Sequence, residues 1–252
     1  MKKQIVTYKE DDDKIIQPVA LLKFGELIHL KELMKNGTIY ASSISEIRKK
    51  ESNNKIENYR NDPFEGSLRY ISSGPAKATF TTLKDSDGNP LSVPLINFNY
   101  FEKPELLFGN ICSFYGITAD SFNNGELIPV DERMKTFGSH FMLITNFDEF
   151  IKRVDKAIEN TTKSNWQYGF VKYLDIKDYN NNTNLFKKRS LFSFQNEFRL
   201  HFEINNTSAI KINIGSIEDI SIIISSDVLH FLKMNFDMKS KLLNINWLKE
   251  VQ

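Results

Sequence analysis

The chain has 252 residues, 40% of them hydrophobic and 20 of them Phe, enough to bury a sizeable core without a covalent staple. A single cysteine, Cys112, excludes an internal disulfide framework and a cysteine-based zinc site, and it fits a reducing compartment. With 33 basic and 32 acidic side chains the net charge is +1, without the basic excess of a protein that holds nucleic acid mainly through its phosphates.

No run approaches the ~18 apolar residues of a membrane span, so no membrane association is expected and the cytoplasm is the expected location. Residues 1–17 are charged, carry Asp11-Asp12-Asp13 and lack the apolar core of a signal peptide; they read as a mobile N-terminal segment. Residues 18–252 read as one domain. Pro18 to Phe24 suits a buried strand, and Leu27, Leu30, Leu33 and Met34 then recur at helical spacing up to Gly37, which is placed to end the helix. Thr38 to Ala41 is a second strand. The stretch from Ser52 to Gly66 is polar and turn-rich, and Arg60, Asp62 and Glu65 in it could rim a pocket or simply be solvated.

Short runs rich in Ile, Phe, Tyr and Thr follow as strands: Leu68 to Ser72, Ala76 to Leu83, Leu91 to Phe101 and Leu106 to Tyr115. Asp85 to Asn89 reads as a hairpin loop. Ser139 to Thr145 is a strand, and Asn146 with Glu149 then caps a helix whose Phe147, Phe150, Ile151, Val154 and Ile158 share one face. Gln167 to Asp175 is a strand and Asp178 to Asn184 an Asn-rich loop. Leu191 to Ile204, Ser208 to Ile214 and Ile220 to Ser225 are strands, with a helix over Asp227 to Phe236. The pattern predicts an α+β fold, a single domain of mostly antiparallel twisted sheets with a few flanking helices.

One strand concentrates chemistry-bearing groups. From Phe192 to Ile204, alternation puts Phe194, Phe198, Leu200, Phe202 and Ile204 mainly on one face and Gln195, Glu197, Arg199, His201 and Glu203 on the other. Gln195 and Glu197 would then sit about 7 Å apart along the strand. Lys187-Lys188-Arg189 could lie near the same edge and receive phosphates. A solvated face with cross-strand charge pairs explains the same pattern. A fixed carboxylate, in turn, suits chemistry in which positive charge develops at a sugar carbon, as when an N-glycosidic bond breaks.

Gln195-Asn196-Glu197 followed by a strand resembles the glutamine-x-glutamate motif of NAD-dependent ADP-ribosyltransferases. The resemblance implies an ADP-ribosyltransferase-like fold and NAD as a substrate, with no metal. It makes Glu197 the residue that holds the nicotinamide ribose and supports nicotinamide loss, and Gln195 the residue that helps select the nucleophile. It also implies a nucleotide site from Lys23, Phe24 and Gly25 of the first strand, Tyr40 and Ser42 of the second, and Arg199. Lys23 stands where that family carries Arg or His, and Ile111 to Tyr115 competes with Tyr40 for the middle motif. The chain is similar as well to an uncharacterised bacterial family with Lys23 to Gly25, Asp62 to Gly66 and Gln195 to Arg199 as its recurring segments. Proteins of that kind look like accessory bacterial genes, which implies a toxin or phage-defence effector acting on a protein or nucleic-acid acceptor, with a neutralising antitoxin as a further partner.

Two other functions fit the same residues. One is a metal-independent ribonuclease using His201 with Glu197 or Glu203. The other is a non-enzymatic interaction module that docks through the polar strand face or the Asn61 to Gly66 loop. His29, His140, His201 and His230 show no metal-ligand spacing, and Cys112, in an apolar strand, reads as a buried inert thiol.

Overall fold

The computed structural model describes residues 3–5, 16–47, 69–73, 76–95, 98–102, 109–161, 164–175, 185–204, 207–237, 240 and 242–247. Of these, residues 3–5, 69–73, 76–82, 93–95, 98–102, 242, 246 and 247 are described by their backbone alone. The turn-rich stretch with Arg60, Asp62 and Glu65, and the Asn-rich loop, lie outside the described residues.

The architecture is mixed α+β, with mostly antiparallel strands and few helices. The N-terminal half carries β1 (Lys3–Ile5), β2 (Ala20–Gly25), β3 (Thr38–Ser43), β4 (Arg69–Ser73), β5 (Ala76–Lys84), β6 (Pro90–Leu95), β7 (Phe98–Glu102) and β8 (Asn110–Ile117). Next come β9 (Phe122–Asn123), β10 (Glu126–Leu127), β11 (His140–Ile144), β12 (Trp166–Phe170), β13 (Lys172–Leu174) and β14 (Lys187–Arg189). The chain continues through β15 (Glu197–Phe202), β16 (Ile210–Asn213), β17 (Ser221–Ser225), β18 (Leu232–Asp237) and β19 (Leu242–Trp247). Helix α1 (Leu27–Asn36) joins β2 to β3, and α2 (Phe147–Thr161) follows β11.

Local chemistry explains the helix ends. Gly37 closes α1 in the left-handed region at φ 66°, its N–H donating to the Leu33 carbonyl at 2.9 Å. A Cβ at Gly37 would lie 1.9 Å from the Gly215 carbonyl oxygen, so close approach as well as conformation requires glycine. At the start of α2, Asn146 Oδ1 accepts the Glu149 N–H at 3.0 Å. The stripe of Phe147, Phe150, Ile151, Val154 and Ile158 is buried, each side chain contributing roughly 1.5–3 kcal/mol.

Nine of the described strands form one sheet, ordered β1-β12-β15-β8-β2-β11-β17, with β3 pairing both β8 and β16. Lys3–Ile5, within the segment read from sequence as mobile, runs parallel to β12 at the sheet's end. Two hydrophobic clusters cover the strands. One joins α1 and α2 to Phe198, Leu200 and Phe202, and the other gathers Leu22, Phe141, Leu143, Phe192 and Leu229.

β8 is the organising strand. One edge pairs along its length with β15, from Tyr115 opposite Glu197 to Asn110 opposite Phe202. The other edge is shared: β2 pairs with Tyr115 to Ile117 and β3 with Asn110 and Ile111. Between those two pairings, at Cys112 to Phe114, the sheet forks.

Four sequence expectations change, the first being that Gln167 to Asp175 divides at Val171 into β12 and β13, which pair with different partners. Leu191 to Ile204 is not one strand: Ser190–Gln195 is a 3-10 turn, Asn196 sits at φ 34°, and β15 begins only at Glu197. The expected helix over Asp227 to Phe236 is a short 3-10 turn, Ser226–Phe231, followed by β18. Leu232, Met234 and Phe236 recur with a period of two and pair with β19, which outweighs the helical spacing of the preceding turn. Leu91 to Phe101 divides into β6 and β7, which pair with different partners.

Candidate active site

β15 is buried on both faces, so its alternation does not separate a core side from a wet side. Its apolar face packs on α2. Its polar face, Glu197, Arg199 and His201, lies under a covering that includes the β13–β14 ribbon and Leu185. Tyr173 Oη accepts the Glu197 backbone N–H at 2.9 Å, and Leu185 offers its carbonyl to Arg199 Nη1.

The Glu197 carboxylate, 5% exposed, is the hub of this layer. Oε1 accepts from Ser113 Oγ at 2.5 Å and from Arg199 Nε and Nη2 at 2.8 and 2.6 Å, while Oε2 accepts from Lys188 Nζ at 3.0 Å. These bonds leave Oε2 with acceptor capacity toward the hollow it lines. Lys188 Nζ also donates to Gln195 Oε1 at 2.7 Å, so one ammonium ties the amide to the carboxylate. The sequence placed Gln195 and Glu197 on one strand face. The turn and the left-handed Asn196 separate them instead, and Lys188 joins them.

Burial by itself would raise the Glu197 pKa, but the charges of Arg199 and Lys188 and the Ser113 hydroxyl outweigh it and hold the carboxyl well below the usual range. Glu197 is therefore a fixed anion. Arg199 and Lys188 set two positive charges against this one carboxylate, and Lys23 lines the same hollow.

Lys23 explains how the fork is held open. Where β2 leaves β8, no ladder bond reaches the Ser113 carbonyl from that side, and Lys23 Nζ supplies one at 2.7 Å. The same ammonium lies 3.5 Å from Cys112 Sγ and 5.1 Å from the Phe114 ring centroid. Cys112 is buried at 3% exposure.

The fork opens into a hollow of about 170 Å³, open on one side. Lys23, Ser113, Lys188, Gln195 and Glu197 supply its polar wall, and Phe24, Phe114, Tyr115, Met134 and Phe137 its apolar wall. This volume is below the roughly 300–1,000 Å³ of a drug-sized pocket and matches the size of a single ring or sugar. Gly138, next to Phe137, packs directly on the end of β2: a Cβ there would fall 2.4 Å from the Gly25 backbone.

The predicted site residues divide. Lys23, Phe24, Gln195 and Glu197 line the hollow, and Arg199 is bonded to Glu197 behind it. Gly25 ends β2 against Gly138. Tyr40, 51% exposed, lies on β3 opposite Lys211, and Ser42 pairs with Ile111 in the ladder, so neither lines the hollow. His201 is also outside it. Its Nε2 has no hydrogen-bond partner among the described residues, and its ring abuts Gly109. Burial pushes the His201 pKa down to about 4, with Arg199 acting in the same direction and Glu203 against it. Lys188 belongs to the basic run noted in the sequence, but its burial was not visible there. Ser113 lies in the segment that competed with Tyr40, whereas Tyr173, Met134 and Phe137 carried no signal. Among the described residues no cluster of His, Cys, Asp and Glu is arranged to hold a metal, and no helix is long and apolar enough to cross a membrane.

Comparison of the chain with family models, with curated proteins and with solved structures finds no match in any of the three.

Proposed function

We propose that the forked hollow is the nicotinamide–ribose end of an NAD site and that the chain is an ADP-ribosyltransferase-like enzyme. The observation that carries this reading is Glu197, a buried carboxylate bonded to Arg199 and Lys188 and lining the same hollow as Lys23, with Gln195 held beside it by Lys188.

In the proposed reaction the bond between ribose C1′ and the nicotinamide nitrogen breaks, and its electron pair neutralises the pyridinium. The positive charge left on the ribose faces Glu197, which stabilises that state more than the intact dinucleotide. An acceptor then attacks C1′ and releases a proton. Lys188 and Arg199 temper the negative potential of Glu197 but fix its geometry, and the positive excess around the hollow favours a ligand bearing phosphates. The aromatic wall of Phe24, Tyr115 and Phe137 offers rings on which a nicotinamide can stack, while Tyr40 lies outside the hollow. A bacterial toxin or phage-defence effector, with a macromolecular acceptor and a neutralising partner, remains the biological setting of this reading.

One observation weighs against acid–base cleavage of RNA: His201 does not line the hollow that Glu197 lines, so the two do not converge on one site.

The choice of variant matters for the test. Glu197→Gln leaves Lys188 and Arg199 buried without a counter-charge, which costs about 3–5 kcal/mol and confounds activity with folding. Glu197→Asp keeps the charge and withdraws it from the hollow. Incubation with NAD and mass spectrometric detection of nicotinamide should show turnover by the wild type and a loss of about 10²–10³ in Glu197→Asp, assayed at a temperature where thermal unfolding shows the variant folded. Absence of nicotinamide release by folded wild-type protein offered protein and nucleic-acid acceptors would overturn the proposal.

A further inference from the structure

β17 closes one end of the main sheet, and among the described residues its only strand partner is β11. Two bonds fix which of its residues face that partner. Thr145 N–H donates to the Ile220 carbonyl and Ser226 N–H to the Ser139 carbonyl, both at 2.9 Å. An antiparallel ladder alternates residue by residue, so Ile222 and Ile224 turn their main-chain groups toward β11, like Ile220 and Ser226. Ser221, Ile223 and Ser225 turn theirs outward.

The strand reads Ser221-Ile222-Ile223-Ile224-Ser225, the same in both directions. It contains no Lys, Arg or Pro, and its register with β11 runs without a bulge. Those are the devices that usually protect an open edge. Ile222 is 44% exposed.

We propose that β17 pairs antiparallel with β17 of a second copy, about a two-fold axis through Ile223, and so joins two main sheets into one. A palindrome centred on an outward-facing residue meets the requirement of such an axis, that one patch complement itself. The two Ile223 residues exchange main-chain bonds, and each Ser225 N–H meets the Ser221 carbonyl of the second copy. Ile222 comes opposite Ile224 of the second copy in the closer, non-hydrogen-bonded type of pair, where β-branched side chains gain contact. Beyond the strand, Asp219 falls opposite Asp227 of the second copy, which limits the pairing to this segment; Asp219 is already held by Arg153 at 2.5 Å. A junction of this size gives a weak dimer that assembles with concentration.

Sedimentation of the full chain over a rising concentration series tests this. The mass should climb from 29.3 kDa toward twice that value. Ile222→Lys, at an exposed side chain, should weaken association by about tenfold or more, equivalent to 1.4 kcal/mol. Ile223→Pro removes an N–H that points away from β11 and should do the same without loss of the chain's own ladder. Ile223→Cys should link to itself with a short thiol crosslinker, because each copy presents this residue opposite its twin. A mass of 29.3 kDa at every concentration would overturn the proposal. So would a dimer that ignores both substitutions and fails to crosslink at Ile223→Cys.

Discussion

The two faces of β15 are equally buried and held by opposite means. On one, Phe198, Leu200 and Phe202 are at most 1% exposed and meet rings and aliphatic side chains, with Phe198 edge-on to Phe147 at 5.4 Å between centroids. On the other, Glu197, Arg199 and Lys188 are buried through mutual charge and hydrogen bonds. Apolar burial is stabilising wherever the shapes fit, whereas a buried ion carries a desolvation cost that only its partners offset. A strand that carries such a layer beside an open hollow gives up easy stability for a fixed charge, and that asymmetry argues for function.

The largest test of this contrast is removal of one partner from each face. Arg199→Met should cost about 3–5 kcal/mol in urea unfolding, because it strips two of the donors from a buried carboxylate. Phe198→Ala should cost a similar 3–5 kcal/mol through a cavity. The difference lies in coupling. Arg199→Met and Glu197→Gln together should cost less than the sum of their separate losses, since both break the same buried network, whereas Phe198→Ala shares no partner with Glu197→Gln and should add to it in full. Additive losses in the first pair would break the comparison.

Acid should act on the polar face alone. His201 has a folded pKa near 4 against an ordinary 6.5, so the unfolded chain binds the extra proton between these values. Its contribution is present above pH 6.5 and lost as the pH falls toward 4, to a limit of about 3 kcal/mol at 1.36 kcal/mol per pH unit. Glu197, with its pKa depressed, acts in the same sense at lower pH: its contribution is present above the ordinary carboxylate value and lost as the pH falls through the folded one. His201→Gln should flatten the stability profile between pH 6.5 and 4, and an unchanged slope would assign that slope to other groups.

Smaller effects follow at the rim and the caps. Gly138→Ala should cost about 1–3 kcal/mol by pushing the end of β2 outward, and it should loosen the hollow near Phe24 and Phe137. Thermal unfolding together with ligand affinity would check it. Asn146→Ala, far from the hollow, should cost about 1 kcal/mol through the lost α2 cap and leave binding unaltered.

The opening strand–helix–strand, the Asp85 to Asn89 hairpin and the capped α2 were legible in the sequence because each rests on local signals: periodicity, turn residues and caps. The region around Gln195 was legible in composition but not in shape. Alternation from Leu191 to Ile204 looks continuous, yet Asn196 tolerates a left-handed turn that the pattern does not mark. Lys188 shows why the rest of the site was hidden. Its position in a basic run suggests a solvated phosphate clamp, and only the tertiary return of β14 under Glu197 turns it into a buried counter-ion. Lys23 is similar: the fork that gives its ammonium a carbonyl to bind exists only once β2 and β3 share an edge of β8.

A carbon NMR titration of the Glu197 side chain, read against Glu197→Asp for assignment, probes the fixed anion directly. The carboxyl signal should show no step at the ordinary 4.5 and remain that of the ionised form until the protein unfolds in acid. A midpoint at the ordinary value in folded protein would mean that Lys188 and Arg199 do not hold it, and the charge-stabilising role would fall.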